Sequence, residues 1–306
     1  MRMNKVVITG ASGFLGRRLV NLCLSEGLEV WAVVRNRFAL ENITCPNLHV
    51  IECDLKEISR LPELVCSSPT HFIHLAWQGS TGKERGDFEI QLRNIQYSIQ
   101  AVYVASKIGC KRFVGAGTLA ELDALAYIPR DGSKPNLVTE YASAKLSAHF
   151  MTKAVCNNLG VEHIWPCISN TYGPGNYTNN FINFAIRELL TKGKGEFTSG
   201  EQYYDFVYVD DTIQGLFRAA KYGKNNFSYY IGSNSCRKLK DYILEIRDLL
   251  GTSHKVELGV IPFNGVSHDK EVFDSTKLMK DTGYKPSVSF SEGIEKTLTW
   301  IKTNLI

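Results

Sequence analysis

A chain of 306 residues, 44% hydrophobic and 22% charged, has room for one large α/β unit or two smaller units sharing a boundary. Its net charge of +4 arises from acids and bases interspersed along the sequence, which argues against nucleic acid as a partner. Eight cysteines form no Cys-x-x-Cys pair, and no apolar run approaches the ~18 residues of a membrane span, so reduced thiols in a cytoplasmic protein, with no metal and no membrane segment, are expected.

The opening MRMNKVVITG runs directly into a strand and a glycine turn, so no signal peptide is expected. KVVITG (5–10) reads as a buried strand and FLGRRLVNLCLSEG (14–27) as a helix closed by Gly27. EVWAVVR (29–35), LHVIECDL (48–55) and HFIHLAW (71–77) read as the next three strands. A long helical stretch over 88–108 precedes the strand KRFVGAGT (111–118), a helix beginning near Tyr141 and a sixth strand VEHIWPCISN (161–170). Apolar strands without polar alternation, separated by helices, predict a parallel sheet covered on both faces: a Rossmann-like, doubly wound α/β fold. Beyond residue 168 the turns multiply. The expected division is therefore 1–168 for dinucleotide binding and 169–306 for substrate binding, with the segment at about 205–232 able to return to the first sheet.

GASGFLG (10–16) sets Gly10, Gly13 and Gly16 between a strand and a helix, with Phe14 and Leu15 opening the helix. Such glycines let the backbone approach a pyrophosphate seated on the unpaired N–H groups of the helix N-terminus; the bland reading is a tight turn. The end of the second strand discriminates between dinucleotides: a carboxylate there serves the ribose hydroxyls of NAD, a guanidinium the 2′-phosphate of NADP. Arg35 occupies that position with Arg37 close behind, so NADP(H) is favoured and NAD(H) is the alternative.

Two Tyr-x-x-x-Lys pairs place both side chains on one helix face. Tyr103 and Lys107 lie within SIQAVYVASKIG, where Tyr103 joins an apolar stripe expected to be core or interface. Tyr141 and Lys145 follow the strand ending in Thr118, where an ammonium one turn away favours the phenolate and a hydroxyl can orient a carbonyl. His74, at a strand end, is expected to be a satisfied core residue.

With these motifs in order, the chain resembles the extended short-chain dehydrogenases/reductases that act on nucleotide sugars. The resemblance rests on GASGFLG, CDL (53–55), HLA (74–76), Thr118–Tyr141–Lys145, NTYGPG (170–175), YDFVYVDD (204–211), YYIGS (229–233) and DSTKLMKDTGYKP (274–286). It implies that Asp54 and Leu55 lie near the adenine, Leu75 and Ala76 line the cofactor, and Lys145 holds the nicotinamide ribose. Asn170 then approaches the diphosphate of a nucleotide-diphosphate sugar, Tyr204 borders the substrate, and the enzyme forms a homodimer through paired helices. The family's 4,6-dehydratases carry Asp-Glu directly after the triad threonine, and Leu119 and Ala120 stand there instead, with Glu121 one position later. The expectation is an NADPH-dependent reductase of a nucleotide-diphospho-4-keto-6-deoxysugar. The alternatives are an NAD-dependent 4-epimerase and a non-catalytic NADP-binding sensor or scaffold. Relatives place an arginine where Tyr204 stands and another near 261–270, and neither is present. Lys83, Arg85, Arg187, Lys192 and Lys194 are then the candidates to meet phosphate charge, and the glycine-rich loop 77–88 is a candidate hinge.

Overall fold

The computed structural model describes residues 3–127, 131–132, 137–251 and 253–306. The strands β1 (Lys5–Thr9), β2 (Glu29–Val34), β3 (Leu48–Glu52), β4 (His71–His74), β5 (Arg112–Gly115), β6 (Glu162–Ile168) and β7 (Phe227–Ile231) form one parallel sheet. Their order is β3-β2-β1-β4-β5-β6-β7, and the short strand Gly117–Thr118 pairs with the end of β6. The order reverses between β1 and β4, which opens a crevice at their carboxyl ends, the place where doubly wound sheets bind ligands.

Both faces of the sheet are apolar because successive side chains point to opposite sides. Val6 and Ile8 join Leu19 and Val20 of the helix Phe14–Ser25 in one core cluster. Val7 and Phe72 join Ala101, Val102 and Ala105 of the helix Phe88–Ile108 in the other. That long helix starts where the Asp87 carboxylate accepts the Ile90 N–H at 3.0 Å and stops at Gly109, whose φ of 93° suits glycine.

The helix carrying Tyr141 and Lys145 spans Leu137–Leu159 and so begins a turn earlier than expected. Tyr103 is half exposed rather than packed into the core with Val102 and Ile108, so the core reading of Tyr103 is corrected. After β6, a parallel pair of strands joins Asn170–Tyr172 to Phe206–Tyr208, and Tyr203–Tyr204 runs antiparallel to Arg237–Lys238. An aromatic nucleus of Phe206, Tyr242 and Phe290, with ring centroids 4.7–6.1 Å apart, holds this half together. The chain then returns to the main sheet as β7, beside β6. No described helix is long and apolar enough to cross a membrane.

Candidate active site

The residues read as cofactor contacts gather around the crevice. Gly10, Gly13, Phe14, Leu15 and Gly16 follow β1, Arg35 follows β2, Asp54 and Leu55 follow β3, and Leu75 and Ala76 follow β4. Gly10 has a φ of 69°, and a Cβ there would meet the Ala76 nitrogen at 2.7 Å. A Cβ on Gly16 would lie 2.0 Å from the Gly10 carbonyl oxygen, so this glycine is dictated by packing of the helix onto the turn. Gly13 differs. Its φ is −71°, and an added Cβ would meet only the Gly10 oxygen, at 3.3 Å. The space a Gly13 side chain would fill is therefore left for something other than protein, and no side chain caps the helix that begins there. A pyrophosphate fits this cradle.

A pair of substitutions separates the two kinds of glycine. Gly16→Ala is expected to lower the melting temperature of the protein without cofactor. Gly13→Ala is expected to change the stability of the protein without cofactor by no more than about 1 kcal/mol while weakening dinucleotide binding at least tenfold. Differential scanning fluorimetry with and without cofactor measures both.

Arg35 is exposed, and no other described residue engages its guanidinium. The turn presenting it is held in place, because the Arg37 N–H donates to the Glu52 carboxylate at 2.9 Å and Asn36 caps Phe38 at 3.0 Å. Asp54 caps its own turn by accepting the Lys56 N–H at 3.1 Å. His74 bonds Thr9 at 2.8 Å and Ser98 at 3.3 Å, and burial pushes its pKa down to about 3, so it is a neutral core histidine.

Thr118, Tyr141 and Lys145 converge. The Thr118 and Tyr141 hydroxyls are hydrogen-bonded, and Thr118 Oγ1 also accepts the Ala120 N–H at 3.3 Å. Lys145 Nζ donates to the Ala116 carbonyl at 2.9 Å, and its ammonium lies 3.9 Å from the Trp77 ring centre and 6.0 Å from that of Tyr141. Burial lowers the Lys145 pKa to about 8. Burial raises that of Tyr141, opposed by the charge of Arg85 and the bond from Thr118.

Behind Thr118 lies a network the sequence reading missed. Glu121 is buried, and its Oε1 accepts the Thr118 N–H and the Trp165 indole N–H, both at 2.9 Å. Its Oε2 pairs with His149 Nδ1 at 2.9 Å, and His149 Nε2 reaches the Ser228 hydroxyl at 2.9 Å. The His149 imidazole stacks on Trp165 at 4.7 Å. Glu121 thus faces inward and fixes the backbone of Thr118.

The substrate side is mixed. The Asn170 side-chain amide donates one N–H to the Asp205 carbonyl at 3.3 Å, which leaves its second N–H and its oxygen uncommitted. Tyr204 stands opposite Arg237; burial and the charge of Asp123 raise its pKa, and Arg85 lowers it. Among the proposed phosphate partners, Lys192 pairs with Glu188 at 2.8 Å and Lys194 with Glu196 at 3.1 Å. Lys83 and Arg187 are exposed. Arg85 alone of the five touches the triad, its guanidinium 4.5 Å from the Tyr141 ring centre. The loop 77–88 is tied down rather than hinged. Gln91 donates to the carbonyls of Gly79 at 3.0 Å and Glu84 at 2.9 Å, and Asn94 bonds both backbone groups of Gln78.

The sequence model of the NAD dependent epimerase/dehydratase family matches residues 6–240. CDP-abequose synthase of Salmonella typhimurium is 26% identical over 310 residues, covering 96% of this chain and 97% of its own. The dTDP-glucose 4,6-dehydratase of the same organism is 24% identical over 342 residues, covering 98% and 93%. The crystal structure of dTDP-glucose 4,6-dehydratase from Bacillus anthracis in complex with NAD superposes with a TM-score of 0.80 at 19% identity, covering 98% of this chain and 97% of that one, a likeness of fold. A match over well over half its length, with relatives aligned almost end to end, means that the chain belongs to the NAD dependent epimerase/dehydratase family and is an enzyme of the short-chain dehydrogenase/reductase type.

Proposed function

We propose that the protein is an NADPH-dependent reductase of a nucleotide-diphospho-4-keto-6-deoxysugar. The observation that carries this reading is Arg35: a guanidinium that no other described residue engages stands just after β2, where an NAD enzyme of this fold places a carboxylate. Two further observations support it. Glu121 spends its carboxylate on Thr118, Trp165 and His149, so it is not available as the acid or base that water elimination from the sugar requires. The relative with 26% identity is named for the synthesis of a CDP-sugar.

When bound at this crevice, a nicotinamide would supply hydride to a carbonyl carbon. The chain's own residues do the rest. The Thr118 hydroxyl, fixed from behind by Glu121, orients the sugar carbonyl beside Tyr141. Tyr141 gives its phenolic proton to the C4 alkoxide. Lys145, anchored on Ala116, holds the nicotinamide ribose from the same helix face. Trp77 and the clamped loop exclude water from one side of the tyrosine, the two rings packing at right angles with their centres 6.1 Å apart. Exposed Phe88, Leu92 and Tyr103 on one helix, and Phe150 and Met151 on the adjacent Leu137–Leu159 helix, offer the apolar face for a homodimer.

A thermal shift with NADPH is expected to exceed that with NADH at matched concentration, because a ligand bound only by the folded state stabilises it in proportion to the logarithm of its saturation. Arg35→Glu should remove the preference, with NADPH affinity falling about 10- to 100-fold through loss of a charge-assisted contact and gain of a repulsive one. Oxidation of NADPH on adding CDP-, dTDP- or UDP-4-keto-6-deoxyglucose tests the reaction itself. NAD retained through purification, with no NADPH preference, would overturn the reductase and leave the 4-epimerase.

A further inference from the structure

We infer that Arg85 is a positioning residue for Tyr141, acting on its proton equilibrium through the face of the ring rather than through the hydroxyl. The guanidinium lies 4.5 Å from the ring centre, within the range of a cation–π contact, whereas the Lys145 ammonium is 6.0 Å away. Lys145 is also committed elsewhere, to the Ala116 carbonyl and the Trp77 ring. The cation that the tyrosine faces at close range is therefore Arg85. A guanidinium keeps its charge at any working pH, and a negative phenolate is attracted by a cation over its ring more strongly than a neutral phenol.

The loop is constructed to hold the arginine there. Gly79, at a φ of 66°, folds the chain so that an added Cβ would meet Glu84 at 2.8 Å. The buried Gln91 ties the carbonyls of Gly79 and Glu84 and accepts the Trp77 indole N–H at 2.9 Å. Arg85 has no carboxylate partner among the described residues, and its Nε is buried without a hydrogen bond. A cation presented by a clamped loop, with no carboxylate partner among the described residues, acts on what it covers.

The groups facing Tyr141 set the sign. Burial raises its pKa and Glu121, from the helix Ala120–Tyr127, adds to the rise. Arg85 from the loop and the Thr118 hydroxyl lower it, Lys145 shares its own helix, and Trp77 is neutral. Removing Arg85 must therefore move the titration upward.

The inference rests on Tyr141 as the proton carrier, but its test needs neither substrate nor cofactor. Position 141 is labelled with 3,5-difluorotyrosine, whose phenol titrates near neutrality, and its midpoint is read by fluorine NMR in the otherwise native chain and in R85Q, R85K and R93Q. R85Q should raise the midpoint by about one unit, a tenfold fall in the ionisation constant, and R85K by less. R93Q, which removes an exposed arginine paired with Glu89, should leave it in place. A midpoint unmoved in R85Q, or moved equally in R93Q, overturns the inference. Absence of turnover on keto sugars would sink the reductase reading and leave this result standing.

Discussion

Replacing Tyr141 with phenylalanine is expected to cut NADPH oxidation on a nucleotide-diphospho-4-keto-6-deoxysugar by about 10²–10⁴-fold, the usual contribution of a positioned general acid. Cofactor binding and fold should be retained. Tyr141 is 7% exposed, and the substitution keeps the ring that Trp77 meets edge-on and Arg85 covers. Only the hydroxyl is lost, and with it the bond to Thr118. Steady-state rates at 340 nm measure the first expectation, and the NADPH-induced thermal shift the second. Turnover equal to the parent would remove the tyrosine mechanism. A parent protein that binds NADPH and turns over none of the keto sugars would favour the sensor or scaffold reading.

Much of the fold was legible in the sequence because its strands are apolar on both faces. The run Val6-Val7-Ile8 divides between two core clusters, as a buried parallel strand must. The glycine turn and the Thr118–Tyr141–Lys145 constellation were legible for a related reason, since local spacing places their backbones at strand ends and on one helix face. What escaped is tertiary. Glu121 meets residues 28 and 44 positions away, and His149 meets one 79 positions away, so no local pattern announces the network. One signal was present. Gly115 ends β5 and Gly117 opens the short strand after it, both buried, and a Cβ on them would meet the Trp165 ring at 2.1 and 2.4 Å. Glycine in a buried strand marks close approach of another group, and here that group is the indole that Glu121 holds. Tyr103 illustrates the converse. Its neighbours Val102 and Ile108 suggested a packed stripe, yet one step of about 100° around the helix carries it from core to surface. Lys192 and Lys194 looked free in the sequence because their partners, Glu188 and Glu196, are ordinary surface carboxylates.

Glu121→Ala is expected to destabilise the protein by about 3–5 kcal/mol, as removal of one member of a buried charged network does. The substitution leaves the Trp165 indole N–H, the Thr118 N–H and His149 Nδ1 without their shared acceptor in an enclosed site. It also opens a void beside Trp165. Urea unfolding should show a lower midpoint with an unchanged slope, since the extent of the folded structure stays the same. Glu121→Gln discriminates between two jobs for the same side chain. If Glu121 is a structural acceptor, the amide keeps one oxygen but turns an NH₂ group toward donors, so stability falls while turnover per folded molecule drops by no more than about tenfold. If Glu121 were instead an acid or base acting on the sugar, Glu121→Gln would remove about 10²–10⁴-fold in rate and cost little stability. The inward aim of its two oxygens, one on the Thr118 backbone and one on His149, favours the first result. Thr118 would then owe its place beside Tyr141 to a carboxylate that never meets the substrate.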